Sequence, residues 1–88
     1  MKLPLEIIFS KSAAKTLEAL DVPTRQRIRD KVKAVAADPL NPTNSYPHQG
    51  SKKRSARVGG YRIIVLIQEP DRLAVDLIES RGQVYNRI

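Results

Sequence analysis

The sequence predicts an α+β fold: an antiparallel-rich, four-stranded sheet with two N-terminal helices packed on one face, in the order β-α-α-β-β-β. Three observations support this prediction. Apolar residues alternate near the N-terminus, two stretches of helical spacing follow, and three strand-like stretches separated by turn residues complete the chain. Two helices can cover one face of such a sheet and leave the other partly open. Because the chain has 88 residues, we expect one domain spanning residues 1–88.

The first half of the chain supplies one strand and both helices. Residues 3–9 have an apolar period close to two and predict the first strand. Ser10 is suited to cap the helix predicted over residues 11–20, because its hydroxyl can accept from amides of the first turn. A second helix is predicted from about Pro23 to Ala37, since proline is tolerated in a first helical turn. It should end at Asp38-Pro39, because the residue before a proline avoids the helical region.

The segment from Pro39 to Gly50 contains three prolines and predicts a loop without regular structure. His48 lies in this segment and is the single histidine of a chain that has no cysteine. With so few soft ligands, we expect no metal site and no cofactor. We interpret His48 as a solvated loop residue, with a catalytic role as the alternative.

The second half predicts three antiparallel strands. The first covers residues 52–58 and is joined by the tight turn Gly59-Gly60 to a strand over residues 61–68. The middle of that strand is apolar at every position, which is typical of a central strand covered on both faces. The last strand is predicted over residues 73–78, where Asp76 alone interrupts the apolar run.

Positive charge is concentrated between the helices and the central strand. The net charge is +7, from 16 Lys and Arg against 9 Asp and Glu, and the pI is about 10.2. Between Pro39 and Gln68 there is no acidic residue, but there are five cations: Lys52, Lys53, Arg54, Arg57 and Arg62. Such a cluster favours polyanionic partners, which include RNA, DNA, an anionic membrane surface or an acidic protein. The alternative is a solvated strand edge whose charges deter aggregation.

A nuclease that uses no metal needs a proton acceptor, positive charge beside the phosphorus and a proton donor. The acidic residues are far from the basic cluster in sequence, so we expect them to lie away from it. Lysine, arginine and tyrosine would then have to do this chemistry. Arginine suits the phosphate, because its planar fork binds two oxygens at once.

Two segments, residues 53–67 and 78–87, resemble the RelE/ParE superfamily of toxins from type II toxin–antitoxin pairs. The motifs are Val58-Gly59-Gly60-Tyr61-Arg62 at the start of the central strand and Arg81-Gly82-Gln83-Val84-Tyr85 near the end. The resemblance implies a toxin held inactive by a cognate antitoxin protein. In the RelE branch it implies an endoribonuclease that cuts mRNA on the ribosome without metal. In the ParE branch it implies a DNA gyrase inhibitor. The tyrosine of the tail motif favours the RelE branch.

The resemblance also assigns roles to individual residues. It implies catalytic roles for Lys53 as base or phosphate contact, for Arg62 and Arg81 as cations at the reacting phosphate, and for Tyr85 as a base-stacking group. It implies a supporting role for Arg57.

The neighbouring cations complete a predicted RNA-binding set of Lys52, Arg54 and Arg57. Two positions depart from the pattern of the relatives: Ser55 stands where the best-studied branch has a second strand lysine, and Ser80 where many relatives have histidine. Both departures leave the identity of the proton acceptor open.

Other functions fit the same residues. A gyrase inhibitor would use the fold as a protein-binding surface, and an RNA-binding domain or inactive relic would keep the charge without the chemistry. The sequence shows no signal-peptide pattern and no apolar run of about 20 residues, so we expect a soluble cytoplasmic protein.

Overall fold

A computed structural model describes residues 2–48 and 50–80 of the chain. The elements follow in the order β1 (Glu6–Phe9), α1 (Lys11–Glu18), α2 (Val22–Ala37), β2 (Tyr46–Pro47), β3 (Lys53–Val58), β4 (Tyr61–Gln68) and β5 (Arg72–Ser80). The strands form one sheet in the order β1-β5-β4-β3-β2. The predicted α+β class is confirmed, and the sheet has five strands rather than four because the short strand β2 joins its edge.

The strands of the second half of the chain pair as antiparallel neighbours, and the first strand of the chain lies beside the last. β3 pairs with β4 and β4 with β5, each antiparallel, as short turns allow. β1 pairs in parallel with β5, because the chain passes through both helices before it re-enters the sheet. β4 is the third of five strands, so the predicted central strand is confirmed.

Local capping sets the limits of both helices. The Ser10 hydroxyl accepts a hydrogen bond of 3.0 Å from an amide in the first turn of α1 and donates one of 2.6 Å to the carbonyl of Asp76. Asp21 caps α2, and the hydrogen bonds it accepts from Thr24 lower the pKa of its carboxyl. Asp38 ends α2, as predicted. Neither helix has the length and apolar character needed to cross a bilayer.

The core lies between the two helices and one face of the sheet. Its helical side includes Ile28 and Val32, and its strand side includes Ile63, Val65 and Val75, all of them at most 2% exposed. Burial of each such side chain stabilises the fold by about 1.5–3 kcal/mol before the entropy of ordering it is subtracted. We call this surface of the sheet the helix face.

A bulge in β5 changes which side chains share a face. Ile64 pairs with Leu77, but the next residue of β4, Val65, pairs with Val75, so Asp76 has no partner on β4. A bulge re-aims the side chains that follow it. Val75 is therefore 0% exposed on the helix face, whereas Leu77, two residues later, is 37% exposed on the opposite face.

The segment between α2 and β3 is more ordered than predicted. Besides β2, it contains Ser45, a buried residue whose hydroxyl donates to the Pro39 carbonyl at 3.1 Å. The Asn44 amide donates to the Ala34 carbonyl at 3.1 Å. The prediction of a loop without regular structure is wrong here, because these contacts involve residues too distant in sequence to appear in a local pattern.

Candidate nucleic-acid interface

The sheet face opposite the helices gathers polar and charged side chains from four strands or their ends. Strand alternation places every second residue there. We call this surface the open face. Its polar residues are Tyr46 and His48 from β2 and the residue after it, Lys53, Ser55 and Arg57 from β3, Arg62 from β4, and Asp76 and Glu79 from β5.

Arg57 and Arg62 form the positive centre of the open face. They are direct partners in the β3–β4 ladder, and both are exposed. Like charges opposite one another in a sheet repel, so this pair destabilises the fold. A bound anion would reduce the repulsion. A pocket of about 260 Å³ opens at this end of the sheet, lined by both arginines, the Gly59-Gly60 turn and Glu79. Its size and charge suit a phosphate group rather than an apolar ligand.

Acidic side chains lie on the same face, contrary to the prediction that they lie away from the cations. Lys53 Nζ is 3.2 Å from Asp76 Oδ2, and an Arg62 guanidinium nitrogen is 3.6 Å from Glu79 Oε2. Both acids belong to β5, which the sheet order brings beside β4. The four side chains are 37–49% exposed, so each pair contributes only about 0–1 kcal/mol. A phosphate anion can compete with carboxylates held so weakly.

Tyr46 is a residue of the open face that the sequence analysis missed. It pairs with Ser55 in the β2–β3 ladder. A hydrogen bond from Arg57 lowers the pKa of its phenol below the usual 10.0, and smaller contributions come from a Ser55 hydrogen bond and the charge of Arg62. Burial acts in the opposite direction but does not cancel these effects. By register, Tyr46 is opposite Ser55, two residues from Arg57 along β3, so it belongs to the same face as this arginine.

His48 is hydrogen-bonded to β3, so its interpretation as a solvated loop residue is wrong. Its backbone amide donates to the Lys53 carbonyl at 2.9 Å, which continues the pairing of β2 with β3. Its Nε2 is hydrogen-bonded to the hydroxyl of Ser55, a fully buried residue. No local pattern announces this contact, since a Tyr-Pro-His run in a proline-rich segment gives no strand periodicity.

The predicted RNA-binding cations do not all lie together. Lys53, Arg57 and Arg62 are on the open face, and Lys52 is exposed just before β3. Arg54 belongs to the other face.

Arg54 is half-buried and holds the segment after α2 in place. Its Nε donates to the Ser45 hydroxyl at 2.8 Å, and its terminal nitrogen donates to the Ser45 carbonyl at 3.0 Å. Its role in RNA binding stays a prediction, and two of its three guanidinium nitrogens already donate to Ser45. Arg81 and Tyr85 lie outside the described residues, and their roles stay predictions. Within residues 2–48 and 50–80, no group of three His, Cys, Asp or Glu side chains is placed to hold a metal ion.

A known protein family matches nearly the whole of this chain. The model of the family described as "ParE toxin of type II toxin-antitoxin system, parDE" matches residues 7–85. The chain belongs to this family. The predicted resemblance to the RelE/ParE superfamily is thereby confirmed. No curated protein matches the sequence of this ParE-family chain.

Solved structures of RelE toxins share the fold of this ParE-family chain. The toxin–antitoxin complex RelBE2 from Mycobacterium tuberculosis matches with a TM-score of 0.77 and 19% identity, over 93% of this chain and 97% of that one. The intact RelBE complex from E. coli matches with a TM-score of 0.75 and 16% identity, over 86% and 95%. The archaeal RelE–RelB complex from Pyrococcus horikoshii matches with a TM-score of 0.75 and 18% identity, over 92% and 99%.

Proposed function

We propose that this ParE-family toxin is an endoribonuclease that cleaves mRNA on the ribosome, without a metal ion, and so inhibits translation. The observation that supports this most directly is the open face itself. It holds two adjacent arginines and a lysine on one rigid sheet. Two side chains capable of proton transfer, Tyr46 and His48, lie on the same face. A protein that only blocks another enzyme has no need of proton-transfer groups beside paired guanidiniums.

The arrangement matches the electrostatic demand of RNA cleavage. When the 2′-hydroxyl attacks the adjacent phosphate, negative charge accumulates on the non-bridging oxygens. Arg57 and Arg62 together can offer several donors to those oxygens in a fixed geometry. Glu79 and Asp76 hold the cations in place before the substrate binds. Lys53 can then leave the carboxylate of Asp76 and bind a phosphate of the mRNA.

A cognate antitoxin is the second partner that we propose. Three of the solved neighbours are complexes of a RelE toxin with its RelB protein. A chain with net charge +7 and a cationic open face suits an acidic segment that orders on binding. Co-expression with the adjacent reading frame should relieve growth arrest, and persistent arrest would count against the pairing.

Primer extension on mRNA from cells that express the toxin tests the nuclease. We expect breaks within translated codons, and we expect Arg62→Ala to reduce them by about 10²–10³-fold, since it removes a cation beside the transition state. Arg29→Ala is the matched control, because it removes an exposed arginine from α2, remote from the open face. Equal cleavage by the wild type and Arg62→Ala would show that Arg62 takes no part in the reaction.

Inhibition of DNA gyrase is the alternative function, and the ParE family match is the observation that favours it. A supercoiling assay with purified protein separates the two. Loss of supercoiling without mRNA breaks would establish the gyrase function. Salt-dependent RNA binding without breaks and without growth arrest would instead indicate an RNA-binding domain that lacks catalysis.

A further inference from the structure

Cleavage of RNA through the 2′-hydroxyl needs a group that accepts its proton, and the strand lysine expected for that part of the fold is replaced by Ser55. The structure places the His48 imidazole against the hydroxyl of Ser55. We propose that His48 is the proton acceptor of the reaction and Tyr46 the proton donor, so that β2 and the residue after it supply the chemistry which the cationic strands lack. This inference rests on the proposed function and names the residues that perform it.

The first support is position. Tyr46 is opposite Ser55, and the His48 amide bonds to the Lys53 carbonyl, so both side chains project from the edge of β3 onto the open face. Residues two apart along a strand are separated by about 7 Å. Two groups at that spacing can flank one phosphate, with Arg57 beside them.

The second support is the hydrogen bond that orients the imidazole. The hydroxyl of Ser55, a fully buried residue, is hydrogen-bonded to Nε2 of His48. With Nε2 held by this contact, Nδ1 is the ring nitrogen left to face the 2′-hydroxyl. Tyr46 is opposite the same serine in the β2–β3 ladder, so Ser55 lies between the two proposed groups.

The third support is the charge around these groups. On the same face lie Lys53 and Arg57 on β3, Arg62 on β4, and the carboxylates of Asp76 and Glu79 on β5. The cations favour an anionic form of a nearby phenol, and the pKa of Tyr46 is indeed lowered, chiefly by Arg57. A phenol with a lowered pKa gives up its proton more readily, as a donor to the leaving oxygen must.

The proposed step balances without any co-reactant. The 2′-hydroxyl proton moves to Nδ1 of His48 while O2′ bonds to phosphorus. The bond from phosphorus to O5′ of the next nucleotide breaks, and O5′ takes the phenol proton of Tyr46. The products are a 2′,3′-cyclic phosphate and a 5′-hydroxyl. Exchange with water then returns His48 and Tyr46 to their starting protonation states.

Single-turnover cleavage of mRNA on programmed ribosomes tests the assignment, with His48→Gln and His48→Ala compared with the wild type. Glutamine can still donate to Ser55 but cannot take up a proton near neutral pH. We expect both variants to be slower by about 10²–10⁴-fold, the usual contribution of general acid–base catalysis. The pH profile of the wild-type rate should differ from the profiles of both variants, because only the wild type has the imidazole. Added imidazole should restore part of the His48→Ala rate.

Thr43→Ala, from the same segment, is the matched control and should cleave at the wild-type rate. Thermal unfolding of each variant shows whether the fold is retained. A His48→Gln variant as fast as the wild type would overturn the proton role, whether or not His48→Ala is slow, because only a positioning contact would then remain. A rate loss without rescue by imidazole and without a changed pH profile would overturn it also. A wild type that leaves mRNA intact would reject the proposed function and, with it, this assignment.

Discussion

The two faces of one sheet use the same strands for different purposes. On the helix face, Ile63 and Val65 are fully buried among helix side chains. On the open face, Arg57 and Arg62 are exposed beside each other. One residue step along a strand separates the two environments. Stability is therefore concentrated on one side and charge on the other, and a substitution should disturb one property with little effect on the other.

Arginine illustrates the same division. Arg54 and Arg57 are three positions apart on β3, an odd spacing that puts them on opposite faces. The first is half-buried and bound to Ser45, whereas the second is exposed and contacts Tyr46. Residue type alone does not decide whether an arginine serves the fold or a ligand.

The largest expected effect comes from apolar truncation on the helix face. Ile63→Ala should lower the free energy of unfolding by about 2–5 kcal/mol, since it leaves a cavity in a closed core. Leu77→Ala is the matched control on the open face, where the side chain is 37% exposed and should cost less than about 1 kcal/mol. Urea denaturation of the purified proteins measures both. Equal losses would show that the open face is packed as tightly as the core.

The next largest effects are expected from two arginines that have different roles, one in stability and one in RNA binding. Arg54→Ala should destabilise the fold by about 1–3 kcal/mol, because Ser45 loses two hydrogen bonds from a charged donor, and should leave RNA affinity unchanged. Arg57→Ala should keep the stability and weaken binding of a single-stranded RNA oligonucleotide roughly tenfold. The slope of log affinity against log salt should fall by about 0.7. The opposite result for either variant would contradict the assignment of stability to the helix face and of RNA binding to the open face.

The smallest expected effect concerns the acids of the open face. Asp76→Asn and Glu79→Gln should each strengthen RNA binding by up to about fivefold, since they release Lys53 or Arg62 from an exposed ion pair worth at most about 1 kcal/mol. Asp30→Asn on α2 makes the same change in net charge at a distance and is the control. If all three variants bind alike, the gain reflects net charge and not the ion pairs.

The sequence by itself determined the features that depend on local physics. The bounds of β4, the Ser10 cap and the stop at Asp38 were all predicted, because hydrophobic period, capping and proline sterics act within a few residues. The two-helix cover of one sheet face followed from element order.

Only the tertiary structure decided which side chains meet. It added β2, placed His48 on Ser55, turned Leu77 outward through the β5 bulge and brought Asp76 to Lys53. These contacts join residues on different strands, so they depend on sheet register, and a shift of one residue exchanges the two faces. Periodicity shows that a strand has two faces, but pairing between distant segments decides what each face contains.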